Sequence, residues 1–434
     1  MRTLASLLWG PHTLLMILGT GIWLTVKGRF LQIRKLPAIL PDALRGREKQ
    51  GGVSAFQALS ASLAGSLGTG NIVGVAAALT AGGPGAVVWM WISAFFGMMT
   101  VYGESVLAVK FASRKRPGAI CYINKALGTP WAVIYAAGCV LAALGMGTMA
   151  QTGAVAAALS GVGISKTGAG VLCAALLIVC VRGGIQKAVK VTEKLVPFMA
   201  GIFLSACIVV LVLRADRIPG AFCDMLGQAF SFKAAAGGTA GMWLAAKAGV
   251  SRGVFSNEAG LGSGTFALCR AAEKSPEEVG ALGALQVFID TILLCTVTAL
   301  CLLVSPGTGE GAEQTLSSFS AVLGSWGSGA VSLSMALFAF ASVIAWSCYG
   351  MDALVFLVPA AGKTERGVYL AAAAAACIIG CVMPVSGILF CCDAFNGVMA
   401  VPNILALVCL SGEIFEKNGG KTQSFCAIFA QNAK

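Results

Sequence analysis

Charge is scarce in this chain. Asp, Glu, Lys and Arg make up 11% of its 434 residues, while 57% are hydrophobic and the mean hydropathy is +0.85. A soluble protein of this length needs far more charge to cover its surface, so a soluble fold is excluded. Histidine is scarcer still, with His12 standing alone. A His-based catalytic triad or an HExxH zinc site therefore cannot be built, which removes many membrane enzymes. The apolar windows do not alternate with period two, which argues against a transmembrane β-barrel. No linker or shift of composition divides the chain, so residues 1–434 read as one domain. The 16 cysteines fall mostly inside apolar windows, where they read as small core residues. The Cys391–Cys392 pair, or Cys377 with Cys381, leaves a metal or redox site as the alternative.

What remains is an all-α polytopic membrane protein. Apolar windows recur along the chain at lengths that cross about 30 Å of hydrocarbon. Eleven spans are predicted: 12–26, 54–80, 85–111, 131–160, 168–182, 195–213, 222–246, 281–304, 328–358, 368–386 and 388–411. The first lacks a small-residue cleavage site and is followed by Lys27, Arg29, Arg34 and Lys35, so it reads as a retained helix. Loop charge sets the orientation. With the N-terminus outside, 25 Lys and Arg lie on the inner side and four on the outer, with Lys233 at a membrane segment. That places the C-terminal tail, 412–434, in the cytoplasm. The net charge of +12 then belongs to the cytoplasmic leaflet and is no nucleic-acid footprint.

Setting the first span aside leaves ten, and two glycine clusters point to an internal repeat among them. "GSLGTGNIVG" (Gly65–Gly74) lies in the first helix of a half spanning 54–213. "AAAGGTAGMW" (Ala234–Trp243) lies in the first helix of a half spanning 222–411. Glycine costs about 1 kcal/mol relative to alanine in a helix, and unpaired backbone groups in lipid cost several more. Paired interruptions of this kind point to the central site of a transporter. Five spans per half also require the halves to be inverted. Small-residue helix packing is the alternative for each cluster alone. A broken helix offers N–H groups to an anion at one half-helix and carbonyl oxygens to a cation at the other.

These residues also carry a likeness. "FQALSASLAGSLGTGNIVGVAAALTAGGPGAVVWMW" (Phe56–Trp91) strongly resembles the alanine or glycine:cation symporter family. So do "VTEKLVPFMAG" (Val191–Gly201), "GVSRGVFSNEAGLGS" (Gly249–Ser263) and "FIDTILLCTVTAL" (Phe288–Leu300). The resemblance implies a LeuT-like five-plus-five inverted repeat with an extra N-terminal helix. It also implies sodium-driven uptake of alanine and glycine across the bacterial plasma membrane, with no cofactor beyond the co-transported ion. Carried over by position, Thr69, Gly70 and Asn71 would meet the amino-acid carboxylate, and the carbonyls of Ala64 and Leu67 would bind sodium. Gln57 matches the family's "FQA" glutamine, Gln151 in "GMGTMAQTGAVA" a glutamine of the third core helix, and Ser342 in "FASVIAW" a position where threonine is usual. The resemblance leaves oligomeric state unassigned.

The expected substrate site is thus Gln57, Thr69, Gly70, Asn71, Gln151, Gly238, Ser342 and Trp346, and the expected sodium site Ala64, Leu67 and Ser342. Ser342 and Trp346, four apart, share a helix face. Either glutamine can instead be interhelical glue, and Trp346 an interfacial belt residue. Glu104 and Asp290 are mid-span carboxylates, read as a proton relay or as structural pairing, and a proton-coupled carrier is the rival function. "SNEAGLGS" (Ser256–Ser263) reads as a cytoplasmic turn or a gate.

Overall fold

A computed structural model describes residues 9–44, 53–112, 117–160, 163–182, 185–230, 240–271, 275–383 and 385–416. The main helices are α1 (Pro11–Lys27), α2 (Ala55–Ser66), α3 (Val73–Gly82), α4 (Gly85–Lys110), α5 (Thr129–Ser160) and α6 (Lys166–Val181). They continue with α7 (Ile185–Leu213), α8 (Ala240–Asn257), α9 (Pro276–Val304), α10 (Ser325–Leu357), α11 (Lys363–Val382) and α12 (Val385–Cys409). Among the described residues seven helices are long and apolar enough to cross a membrane, and α3 and α6 are shorter apolar helices. Shorter helices lie between them at Ala119–Leu127, Ile218–Ala229 and Ala312–Leu323. The protein is all-α and polytopic.

Local sequence explains where helices start. Ser54 and Gln57 form a capping box at α2, and Ser275 and Glu278 another at α9, where Pro276 fills the first turn. Small residues explain how tightly the helices pack. Gly249 and Gly253, four apart on α8, lie against Ala86, Trp89, Met90 and Ser93 of α4, where a Cβ on Gly249 would collide with the Ala86 carbonyl.

Two helices are interrupted by π-helical stretches, Gly145–Ala150 within α5 and Phe288–Cys295 within α9. Such insertions rotate the helix beyond them and gather at functional sites. Here they precede Gln151 and contain Asp290. The described cysteines are all free, and no cluster of metal-ligating side chains occurs among the described residues.

The second half departs from the expected boundaries. One span over 222–246 is replaced by the helix Ile218–Ala229 and by α8, which begins at Ala240. Most of the glycine cluster expected to break that span, including Gly238, lies outside the described residues. The interruption that the structure does describe comes later, after Asn257, so Lys247 and Arg252 belong to a helix and not to a loop.

Candidate functional site

The first break is the one expected. α2 stops at Ser66, Leu67 turns outward at ψ 82°, Gly68 is extended, and a single 3₁₀ turn, Thr69–Asn71, leads into α3. Gln151 Oε1 accepts the Thr69 N–H at 3.1 Å. Ser342 Oγ lies 3.3 Å from the Leu67 carbonyl and 3.4 Å from that of Gly65. Gly68 sits between these two side chains. A Cβ there would stand 2.8 Å from Ser342 Oγ and 2.9 Å from Gln151 Oε1, so only glycine lets both reach the backbone. Gln151, Ser342 and Trp346 are buried, and Thr69 is half-buried.

The second break is "SNEAGLGS", and it is buried within the protein. Ser256, Asn257, Glu258 and Ser263 are all buried. α8 ends at Asn257, Glu258 has φ 58°, and Gly260 and Gly262 have φ +89° and +71°. A non-glycine residue at positive φ is strained, so Glu258 must be held by its surroundings. Its carboxylate accepts the Trp346 indole N–H at 2.9 Å and the Ser263 hydroxyl. Glu104 accepts the Gly260 N–H at 3.0 Å and the Asn403 amide at 2.7 Å. The Tyr135 hydroxyl donates to the Leu261 carbonyl at 2.8 Å.

The two breaks touch. Gly70 faces Ser256, whose Cα would lie 3.3 Å from a Cβ on that glycine. Asp290 joins them from the π-helical part of α9. Its carboxylate accepts Asn71 Nδ2 and Ser256 Oγ, each at 2.9 Å, and Thr291 Oγ1 at 2.8 Å. Asn71 Oδ1 is buried without a hydrogen-bond partner. Chemically this centre offers helix-end carbonyls beside a hydroxyl for a small cation and a half-helix start beside an amide for an anion. It also holds buried carboxylates satisfied by uncharged donors.

Of the expected residues, Leu67, Thr69, Gln151 and Ser342 come together through direct contacts, and Gly70 and Asn71 face Ser256 and Asp290. Trp346 is fully buried against Gly147 and edge-on to Tyr349, 5.7 Å between ring centroids, which excludes the belt reading. Ser342 reaches the carbonyls of Leu67 and of Gly65, the residue that follows Ala64 in the last turn of α2. Gln57 stands at the start of α2, where it caps Ser54 and donates to Glu193 at 2.9 Å, three helical turns from the break. Ser256, Asn257 and Glu258 were not expected here. The signal that marks them is polar residues and glycines interleaved inside an apolar stretch, the same pattern that marks the first break.

Comparison with known proteins identifies the family and the fold. A family model for the sodium:alanine symporter family matches residues 1–420. The chain is 36% identical to the sodium/alanine symporter AgcS of Methanococcus maripaludis, covering 100% of this chain and 98% of the relative. It is 33% identical to the amino-acid carrier protein AlsT of Bacillus subtilis, over 92% of this chain and 87% of that one. Another Bacillus subtilis relative, named "Probable sodium/glutamine symporter GlnT", is 33% identical over 97% and 91%. The fold is similar to that of a manganese transporter from Eremococcus coleocola, with a TM-score of 0.55 at 16% identity over 81% of this chain and 76% of that one. This protein is a membrane transporter, not an enzyme, and it belongs to the sodium:alanine symporter family.

Proposed function

We propose that the protein is a secondary active symporter that imports small neutral amino acids, alanine and glycine, together with sodium across the plasma membrane. The amino acid's carboxylate meets Thr69, Gly70 and Asn71 at the start of the second half-helix. Sodium sits at the carbonyls of Ala64 and Leu67 with the Ser342 hydroxyl, which also reaches the Gly65 carbonyl. The observation that carries this reading is the paired capture of one break by Ser342 and Gln151, which puts a cation-type and an anion-type site on either side of Gly68. Hard, neutral oxygens suit a monovalent ion, whereas divalent sites usually include carboxylates. Substrate carboxylate and sodium then partly balance each other and bind cooperatively. The N-terminus is outside, the C-terminus cytoplasmic, and the two breaks belong to inverted halves.

The energetics suffice. One sodium ion entering down about 100 mV supplies about 2.3 kcal/mol, and a tenfold gradient adds about 1.4. Together they support nearly three decades of accumulation of a net-neutral substrate. A proton-coupled mechanism is the second reading, because Glu104, Glu258 and Asp290 are buried among amide, hydroxyl and indole donors rather than beside Lys or Arg. Uptake of labelled alanine into proteoliposomes, under a sodium gradient and separately under a proton gradient, decides between them. Equal uptake driven by protons in sodium-free buffer overturns sodium coupling.

A further inference from the structure

Lys187, Lys190 and Lys194 recur at i, i+3 and i+7 along the first three turns of α7, which puts them on one face of the helix. All three are exposed, and they line a groove of about 770 Å³. Beside the lysines, Glu193 and Gln57 also line it, and Val191, Leu195 and Phe198 form its apolar wall. Phe198, 61% exposed, also begins a second groove of about 750 Å³, which runs on along α7 past Gly201 and Ser205 towards Trp326 of α10. The two grooves adjoin at Phe198, the first basic and the second apolar. From Lys190 to Val209 the helix rises about 28 Å, enough for an extended acyl chain.

The tendency of inner loops to be basic explains why lysines occur here, but not why they border a groove that turns apolar. Three lysines outnumber the one acid that lines the groove. Glu193 is the only acid in α7, and one of its carboxylate oxygens accepts Gln57 Nε2. Lys187 Nζ donates to the Val179 carbonyl at 2.7 Å, which holds its ammonium at the rim. A ligand that matches this surface carries an anionic phosphate at one end and hydrocarbon at the other.

We infer that the groove on α7 is a binding site for an anionic phospholipid of the cytoplasmic leaflet, its headgroup phosphate held by Lys187, Lys190 and Lys194 and an acyl chain lying over Leu195 and Phe198. Basic pockets beside transmembrane helices on the cytoplasmic side hold such headgroups. The leaflet rests on the orientation proposed above, whereas the binding chemistry does not. Because Gln57 of α2 also lines the groove, the lipid lies against the half-helix that leads into the first break.

The test is the lipid that stays with the full-length protein in detergent, so it depends on neither transport nor orientation. Purified protein is equilibrated with phosphatidylglycerol and phosphatidylcholine, and the retained lipid is counted by native mass spectrometry. Wild type retains phosphatidylglycerol in preference. The triple substitution Lys187→Gln, Lys190→Gln, Lys194→Gln loses that preference, by about fivefold for each lysine. Arginine at the same three positions restores it. Arg34→Gln, Lys35→Gln and Lys363→Gln together, at exposed positions elsewhere, remove the same charge and leave the preference in place. Gly201→Trp fills the apolar groove and lowers retention of long-chain lipid without touching a lysine.

Equal retention by wild type and the Lys→Gln triple overturns the proposal, as does equal loss in the control triple. Competition by millimolar inorganic phosphate as effective as lipid overturns the lipid assignment and leaves a site for a soluble anion. If the Lys→Gln triple does not fold, the comparison of wild type with Gly201→Trp and with the control triple decides in the same way.

Discussion

Thr69 and Gly260 both sit where a helix stops inside the bundle, and in both a side chain from another helix answers the backbone N–H. At Thr69 the acceptor is the uncharged amide of Gln151, at 3.1 Å; at Gly260 it is the carboxylate of Glu104, at 3.0 Å. The second break is further tied by Tyr135 at Leu261 and by Trp346 and Ser263 at Glu258. At the first break the backbone is met by the uncharged side chains of Gln151 and Ser342, and a carboxylate, that of Asp290, is reached at Asn71. Under the function proposed above, the difference suits the first break to ligand exchange and the second to holding the frame against which exchange occurs.

The sharpest way to break that assignment is to crowd the first break. Gly70→Val places a branched side chain against Ser256, where even a Cβ lies 3.3 Å from Cα. Alanine binding should be abolished while membrane insertion and folding persist. Unchanged alanine affinity removes Gly70 from the site.

The second break should respond in stability before function. Glu104→Leu leaves the Gly260 N–H and the Asn403 amide as buried donors without their acceptor, at about 1–3 kcal/mol each. A clear drop in thermal unfolding temperature in detergent is expected, larger than for Gln151→Ala. If Gln151→Ala destabilises as much, the two breaks are equally structural and the comparison collapses.

How the sequence announced these two regions differs in the same way. "GSLGTGNIVG" sits within one apolar window, so its glycines read directly as a broken helix. "SNEAGLGS" follows a run containing Lys247 and Arg252, so loop charge drew it to the cytoplasm and drew the span boundary to 222–246. Tertiary packing overrides that local signal: Gly249 and Gly253 bury this part of α8 against α4 despite Arg252 between them. Spacing located Ser342 and Trp346 on one face correctly. It could not reveal that Glu258 would reach the Trp346 indole, because their separation in sequence carries no periodicity.

Pocket size offers a smaller effect. Trp346 is pinned by Glu258 and lies on Gly147, leaving little freedom to repack. Leucine should compete poorly with alanine, since overpacking costs about 1–3 kcal/mol. Trp346→Ala should narrow the gap between them. Leucine inhibiting as well as alanine in the unaltered protein refutes Trp346 as a wall of the pocket. Ser342→Ala removes one oxygen from the proposed sodium site without adding bulk. The sodium concentration for half-maximal uptake should rise, with milder loss at saturating sodium. No change in sodium dependence would move the ion elsewhere, with Asp290 and the unpartnered Asn71 Oδ1 the nearest alternative.

The smallest effect belongs to Gln57, and it separates the two glutamines that share a family likeness. Its side chain closes one reciprocal bond of the capping box, to the Ser54 N–H at 2.9 Å, and donates to Glu193. Gln57→Ala keeps the other half of the box, because the backbone N–H of residue 57 still reaches Ser54 Oγ. The loss is then about 0.5–1 kcal/mol of stability, within the range for a weakened cap. Glu193 is half-buried, so water can replace the lost donor. The alanine concentration for half-maximal uptake should stay put, whereas Gln151→Ala, which strips the Thr69 N–H of its acceptor, should raise it severalfold. Both variants measured in the same proteoliposome assay give the answer. An equal rise in the two would mean that Gln57 reaches the substrate in another state of the carrier, and that the start of α2 moves with the break.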